Sequence, residues 1–253
     1  MKNLNILWIS LLVTASILLL ITNSCEKVPD DTSILVTDVD GNVYHTVTIG
    51  TQIWMVENLR TTKYNDGNNI PSIDESAAWS ALTAPGTCTY NNTTNDEIIN
   101  RYGRLYNWYS VNTGMLCPPG WHVPTDAEWT ILDNYLMANG FNYDNSTTGN
   151  KYAKALASRA GWASSSVTGT AGNTDFNAKR NRTGFTALPA GVRDANQRIF
   201  GSFGNYGTWW SSSEGNTLNA WNRGVDYSLS SVGRFSVLKS HGYSVRCLKD
   251  SQE

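Results

Sequence analysis

The pattern of hydrophobic and polar positions changes character along the chain. From Leu4 to Ile21 apolar residues run almost unbroken, with only Asn5, Ser10, Thr14 and Ser16 between them. From Ile34 the runs become short and β-branched: Ile34–Val39 and Val43–Ile49 predict a hairpin turned by Asp40-Gly41, and Gln52–Leu59 a third strand carrying Trp54. Helical periodicity is announced by caps. Thr125 and Glu128 form a capping box, and Trp129, Leu132, Tyr135 and Leu136 fall on one face until Gly140. Ser72-Ile73-Asp74-Glu75 repeats the signal ahead of a shorter helix holding Trp79, and Lys151–Ala160 is a third candidate, stopped at Gly161. From Gly161 to Glu253, Ser, Thr, Asn, Gly and aromatics alternate in short runs, which predicts loops and strands.

The apolar run at the start sits behind a single charge, Lys2, the layout of a secretory signal. Its length approaches that of a permanent transmembrane anchor, but it ends in Thr22-Asn23-Ser24-Cys25. This ending resembles a bacterial lipoprotein signal, in which the cysteine is acylated and becomes the new N-terminus. Thr22 stands where an aliphatic residue is usual, while the small Ser24 suits the peptidase. The expectation is a signal peptide at 1–24 and lipidation at Cys25, with an uncleaved anchor or an ordinary cleaved signal as alternatives. Acyl chains at about 0.8 kcal/mol per buried methylene hold a protein to a membrane without a spanning helix. Residues 25–33, with Glu26, Pro29, Asp30 and Asp31, read as a tether. A single domain of α+β class is expected over 34–253.

Composition narrows the partners. With 19 Lys and Arg against 21 Asp and Glu, the net charge is −2, which leaves no basic field for nucleic acid. Only 16% of residues are charged, yet there are 10 Trp and 12 Tyr, so recognition by stacking and hydrogen bonding is favoured over electrostatic steering. Catalytic signatures are missing: His45, His122 and His241 lack zinc-ligand spacing, and there is no nucleophile elbow or phosphate-binding glycine loop. Asp126 and Glu128 could be offered as an acid/base pair, but capping explains them more simply. The chain is therefore expected to be no enzyme, and neither a metal nor a cofactor is expected.

Several blocks stand in order: Gly50-Thr51-Gln52-Ile53-Trp54-Met55-Val56-Glu57-Asn58-Leu59, Tyr102-Gly103-Arg104-Leu105-Tyr106-Asn107-Trp108, Cys117-Pro118-Pro119-Gly120-Trp121-His122, Gly184-Phe185 with Leu188-Pro189-Ala190-Gly191, Trp209-Trp210-Ser211-Ser212-Ser213-Glu214, and Gly242-Tyr243-Ser244-Val245-Arg246-Cys247. Together they resemble the Fibrobacter succinogenes major paralogous domain, found in secreted and lipid-anchored proteins. The resemblance covers about Val36 to Asp250 and implies a C-type-lectin-like fold: short strands, two to three helices, long irregular loops, and two chain ends that pair in one sheet. An exported domain with Cys88, Cys117 and Cys247 can form one bridge. Cys117 with Cys247 is the expected pair and Cys88 with Cys117 the alternative.

With the N-terminal signal and the aromatic, weakly charged composition, the expectation is a lipid-anchored module of the outer membrane or cell surface, monomeric, that binds a carbohydrate or a surface protein. Trp209, Trp210, Glu214, Asn216, Trp221 and Arg223 are the candidate ligand contacts, with a core role for each tryptophan as the competing reading. Sugar-binding C-type lectins hold calcium with Glu-Pro-Asn and Trp-Asn-Asp triplets. Here Glu214-Gly215-Asn216 lacks the proline and Trp221-Asn222-Arg223 ends in a cation, so no lectin-type calcium site is expected. The alternatives are a structural or adhesin subunit associated with fimbriae and, further off, an enzyme related to the formylglycine-generating enzymes.

Overall fold

A computed structural model describes residues 34–251. The expected signal peptide at 1–24, Cys25 and the tether at 25–33 lie outside the described residues. In chain order the elements are β1 (Val36–Thr37), β2 (Val43–Tyr44), β3 (Thr46–Ile49), β4 (Gln52–Met55), α1 (Ser76–Ser80), β5 (Thr87–Cys88), α2 (Asp96–Tyr102), β6 (Leu105–Tyr106), α3 (Trp108–Val111), β7 (Trp121–His122), α4 (Asp126–Ala138) and α5 (Ala153–Leu156). They continue with β8 (Val192–Asp194), β9 (Ile199–Gly201), β10 (Tyr206–Glu214), β11 (Asn219–Asp226), β12 (Val232–Leu238) and β13 (Leu248–Lys249). The architecture is a mixed, β-rich α+β domain.

The opening hairpin is shorter than the sequence predicts. β1 pairs with β2 over two residue pairs, and the second predicted strand divides: Thr46–Ile49 turns away to pair with β4. The Asp38 carboxylate shapes the first turn, accepting from Asp40 N, Asn42 N, Asn42 Nδ2 and the Tyr44 hydroxyl at 2.7–3.0 Å. Gly50 turns β3 into β4 at φ +64°, where a Cβ would lie 2.9 Å from the Tyr135 ring, so both conformation and packing call for glycine.

Helices number five among the described residues, against the two to three expected. The α4 capping box forms as read: Thr125 Oγ1 accepts from Glu128 N and Glu128 Oε2 from Thr125 N. The cap of α1 is Glu75 rather than Ser72, its carboxylate accepting from Ala77 N and Ala78 N. The third candidate shrinks to α5, because Ala157 turns extended and Ser158 N pairs with Ala187 O. The additional helices, α2 and α3, are each capped by an asparagine, Asn95 and Asn107. Among the described residues no helix is long and apolar enough to cross a membrane.

Two sheets organise the core. One has the order β3-β4-β13-β7, so the first and last parts of the domain meet side by side. The other is the antiparallel β10-β11-β12 sheet. Trp209, Val225 and Val232 pack from one of its faces with Trp129, Leu132 and Leu136 of α4. Trp210 and Ala220 pack from the other with Tyr106, Trp108 and Tyr243. Cys117 is bonded to Cys247 and Cys88 is a buried free thiol, so the expected pairing forms.

The family-like blocks meet at buried Asn58. Its Oδ1 accepts from Trp209 Nε1 and from Arg246 Nη2, each at 2.8 Å, and its Nδ2 donates to Tyr102 O at 2.9 Å. Arg246 is wholly buried. It also donates to the Phe185 carbonyl and lies 4.0 Å over the Phe185 ring. Burial pulls this guanidinium below its ordinary value, to about 9, with Glu57 pulling back.

Candidate functional surface

The six residues proposed as ligand contacts do not share one exposed face. Trp209 and Trp210 are adjacent in β10 and point to opposite sides, as alternation requires. At 2% and 0% exposure both are core residues. Trp210 donates its Nε1 to Tyr106 O at 2.7 Å and packs 4.6 Å from the Tyr243 ring. This corrects their assignment as ligand contacts: indoles buried on both sides of a sheet have no free surface to offer.

Arg223 is corrected in the same way. It is 1% exposed, and its guanidinium meets Asp126 at 2.6 Å, Asp133 at 2.9 Å and Thr130 Oγ1 at 3.1 Å. Trp221 is half-buried, with the Arg234 guanidinium 3.6 Å above its ring and Arg234 itself paired with Asp126. Glu214 is exposed but paired with Lys239, whose ammonium also reaches Thr217 O. Asn216 turns β10 into β11, accepting from Leu218 N and Asn219 N at 2.9 Å.

Asp126 and Glu128 are equally engaged. Glu128 closes the α4 cap and accepts from His122 Nε2 at 2.9 Å, while His122 Nδ1 meets Asp250 at 2.6 Å. The Glu128 hydrogen bond, with Asp250 adding to it against burial, raises His122 to about 8. Burial would raise Glu128, but the bonds from His122 and Thr125 outweigh it and hold the acid at about 2.

A different surface carries open groups. The β8–β9 hairpin is followed by Ser202 at φ +61° and Gly204 at φ +80°, which project Phe203 outward. Phe203 is 38% exposed and packs at 4.8 Å from the Tyr90 ring and 4.6 Å from that of Tyr102. Gly191 admits Tyr90: a Cβ there would lie 2.6 Å from the ring. Ala163 N donates to Gly204 O at 2.7 Å, which docks the next loop against this patch. Gly161 brings the two together, its Cβ position lying 3.4 Å from Tyr102 Oη and 3.7 Å from Arg101 Nη2.

Beside Gly161 opens a cleft of about 300 Å³ lined by Arg159, Trp162, Ser164, Thr174, Asn177 and Arg180, among others. Trp162 is oriented by its Nε1, 3.1 Å from Ser158 Oγ and 3.2 Å from Ala187 O. Arg180 is 8% exposed and donates to Ser158 O at 3.2 Å and Asn173 O at 2.7 Å. The sequence reading missed this group because Arg159 and Arg180 lie in a Ser/Asn/Gly-rich stretch with no regular spacing. The available signal was a tryptophan and two arginines surrounded by turn formers.

The family model of the Fibrobacter succinogenes major domain matches residues 47–249. The chain belongs to that family. The matched span runs from β3 to β13 and takes in both core sheets, the Asn58 centre and the arginine-lined cleft. Comparisons with curated proteins and with solved structures returned no match.

Proposed function

We propose that this Fibrobacter succinogenes major domain protein is a non-catalytic binding module with a C-type-lectin-like fold, anchored through a lipid on Cys25 at the outer membrane or cell surface. Its ligand is a carbohydrate or a surface protein. The observation that carries this reading is the surface around Phe203. There, partly exposed aromatics lie beside a cleft edged with arginines and hydroxyl groups, a composition suited to stacking and adaptable hydrogen bonds. The pairing of β4 with β13 and the long connections between short strands support the fold assignment. The engagement of Asp126 and Glu128 in ion pairs and a cap supports the non-catalytic reading.

A glycan array probed with the purified protein tests the binding role. Signals abolished by Phe203→Ala are expected. Silence on the array, with a partner recovered by cross-linking at the cell surface, would instead favour the structural or adhesin subunit. The anchor is tested separately by metabolic labelling with a fatty acid. Label should be incorporated by the native protein and lost in Cys25→Ala.

A further inference from the structure

The cleft beside Trp162 holds an excess of positive charge. Among the described residues, neither Arg159 nor Arg180 lies within ion-pair distance of a carboxylate. The neighbouring acid is Asp175, and it is engaged elsewhere: Oδ1 takes the ammonium of Lys154, whose side chain is fully buried, and Oδ2 accepts from Gly169 N at 2.8 Å. Lys154 also donates to Asn173 O at 2.7 Å. Asp175 is thus paired with Lys154 and leaves both arginines without an ion-pair partner among the described residues. Burial works against the charge of Arg180, Asp175 supports it and Arg159 opposes it. Arg180 directs Nη1 and Nη2 at carbonyl oxygens with no acid in ion-pair reach, and the paired N–H groups of a guanidinium fit the two oxygens of a carboxylate.

We propose that this cleft binds a carboxylated monosaccharide of an acidic glycan, with Arg159 and Arg180 on the carboxylate and Ser164, Thr174 and Asn177 on the sugar hydroxyls. The volume decides the scale: about 300 Å³ is at the small end of ligand sites, suited to one sugar ring. The wall decides the class, because hydroxyl and amide side chains beside one indole match a polyhydroxylated ligand better than an apolar acid. The inference rests on reading this surface as a binding face. Hexuronic acids and nonulosonic acids both present the required group.

The test is calorimetric titration of the full-length, detergent-solubilised protein with a hexuronate trisaccharide, its methyl ester, a neutral trisaccharide and a nonulosonate-terminated one. At least one acid should bind, and which of the two does so identifies the source of the carboxylate. Esterification of the hexuronate, or the neutral sugar in place of a nonulosonate, should weaken binding by about tenfold or more. Arg159→Gln, at an exposed position, should cost a similar factor with an unchanged thermal midpoint, and Arg159→Lys should recover part of it. Equal binding of charged and uncharged sugars, or native affinity in Arg159→Gln, would overturn the carboxylate assignment and leave the binding role standing. Failure of every sugar, together with silence on the array and no cross-linked partner, would remove both.

Discussion

The β10-β11-β12 sheet and the surface from Arg159 to Phe203 are built from the same residue types, yet their polar groups meet opposite fates. In the sheet, Trp209, Trp210 and Arg223 each find internal partners: Asn58, a backbone carbonyl, and the carboxylates of Asp126 and Asp133. On the loop surface Phe203 is partly exposed, and Arg159 and Arg180 line a cleft without an acid in ion-pair reach. Aromatic and polar composition therefore does not distinguish a binding face from a core. What distinguishes them is whether the charges and ring faces are already matched inside the fold.

The comparison breaks most visibly if the sheet tryptophans are not core. Trp209→Ala removes a ring buried against Phe185 and leaves Asn58 Oδ1 short of a donor. It is expected to lower unfolding free energy by about 3–5 kcal/mol, measured by urea denaturation. A loss below about 1 kcal/mol would return Trp209 to the list of surface residues.

Arg223 and Arg159 form the next contrast. Arg223→Ala leaves Asp133 without its guanidinium and Asp126 with Arg234 alone, and should cost about 3 kcal/mol. Arg159→Gln, at an exposed position with no carboxylate partner, should change stability by no more than about 0.5 kcal/mol. Equal losses in the two variants would mean that Arg159 is a structural group, and the cleft would lose its claim to a ligand.

His122 tests an intermediate case, half exposed yet held by two carboxylates. Its folded value near 8 lies above the ordinary 6.5, so its stabilisation is complete below about pH 6.5 and is lost as pH rises through 8. Glu128, held near 2 against an ordinary 4.5, contributes fully above about pH 4.5 and is lost as pH falls through 2. The urea midpoint should therefore be highest between about pH 4.5 and 6.5 and decline toward pH 9. His122→Gln should flatten that decline.

The fold was legible in the sequence where local chemistry determines it. The Thr125 capping box, the Trp54 strand and the cysteine pair required only short-range patterns or a family resemblance, and each is in place. Helix α2 was equally readable from Asn95-Asp96-Glu97, a cap followed by acids in the first turn, yet it is absent from the helices predicted. The site was not legible in the same way. Trp209-Trp210 stands out in the sequence because adjacent indoles are rare, and a strand places them on opposite faces inside the core. The open residues come from loops at 159–180 and 202–204, brought together by contacts such as Ala163 N to Gly204 O that no periodicity foretells. The family-like blocks record what holds Asn58 and Arg246, so the resemblance is informative about the scaffold and nearly silent about the ligand.

Phe203→Ala combines a small expected change in stability with the most discriminating result. The ring packs on Tyr90 and Tyr102 but remains 38% exposed, so its removal opens no enclosed cavity and should shift unfolding by about 1 kcal/mol or less. If this surface is the binding face, the same variant should lose its array signal or cross-linked partner while its thermal midpoint barely moves. Trp209→Ala would reduce both together, because binding fails when the fold does. Separation of the two readouts in Phe203→Ala is therefore evidence that a core variant cannot supply. If Phe203→Ala binds as the native protein does, the aromatic patch is packing for the β8–β9 hairpin, and any ligand contact must lie in the arginine cleft alone.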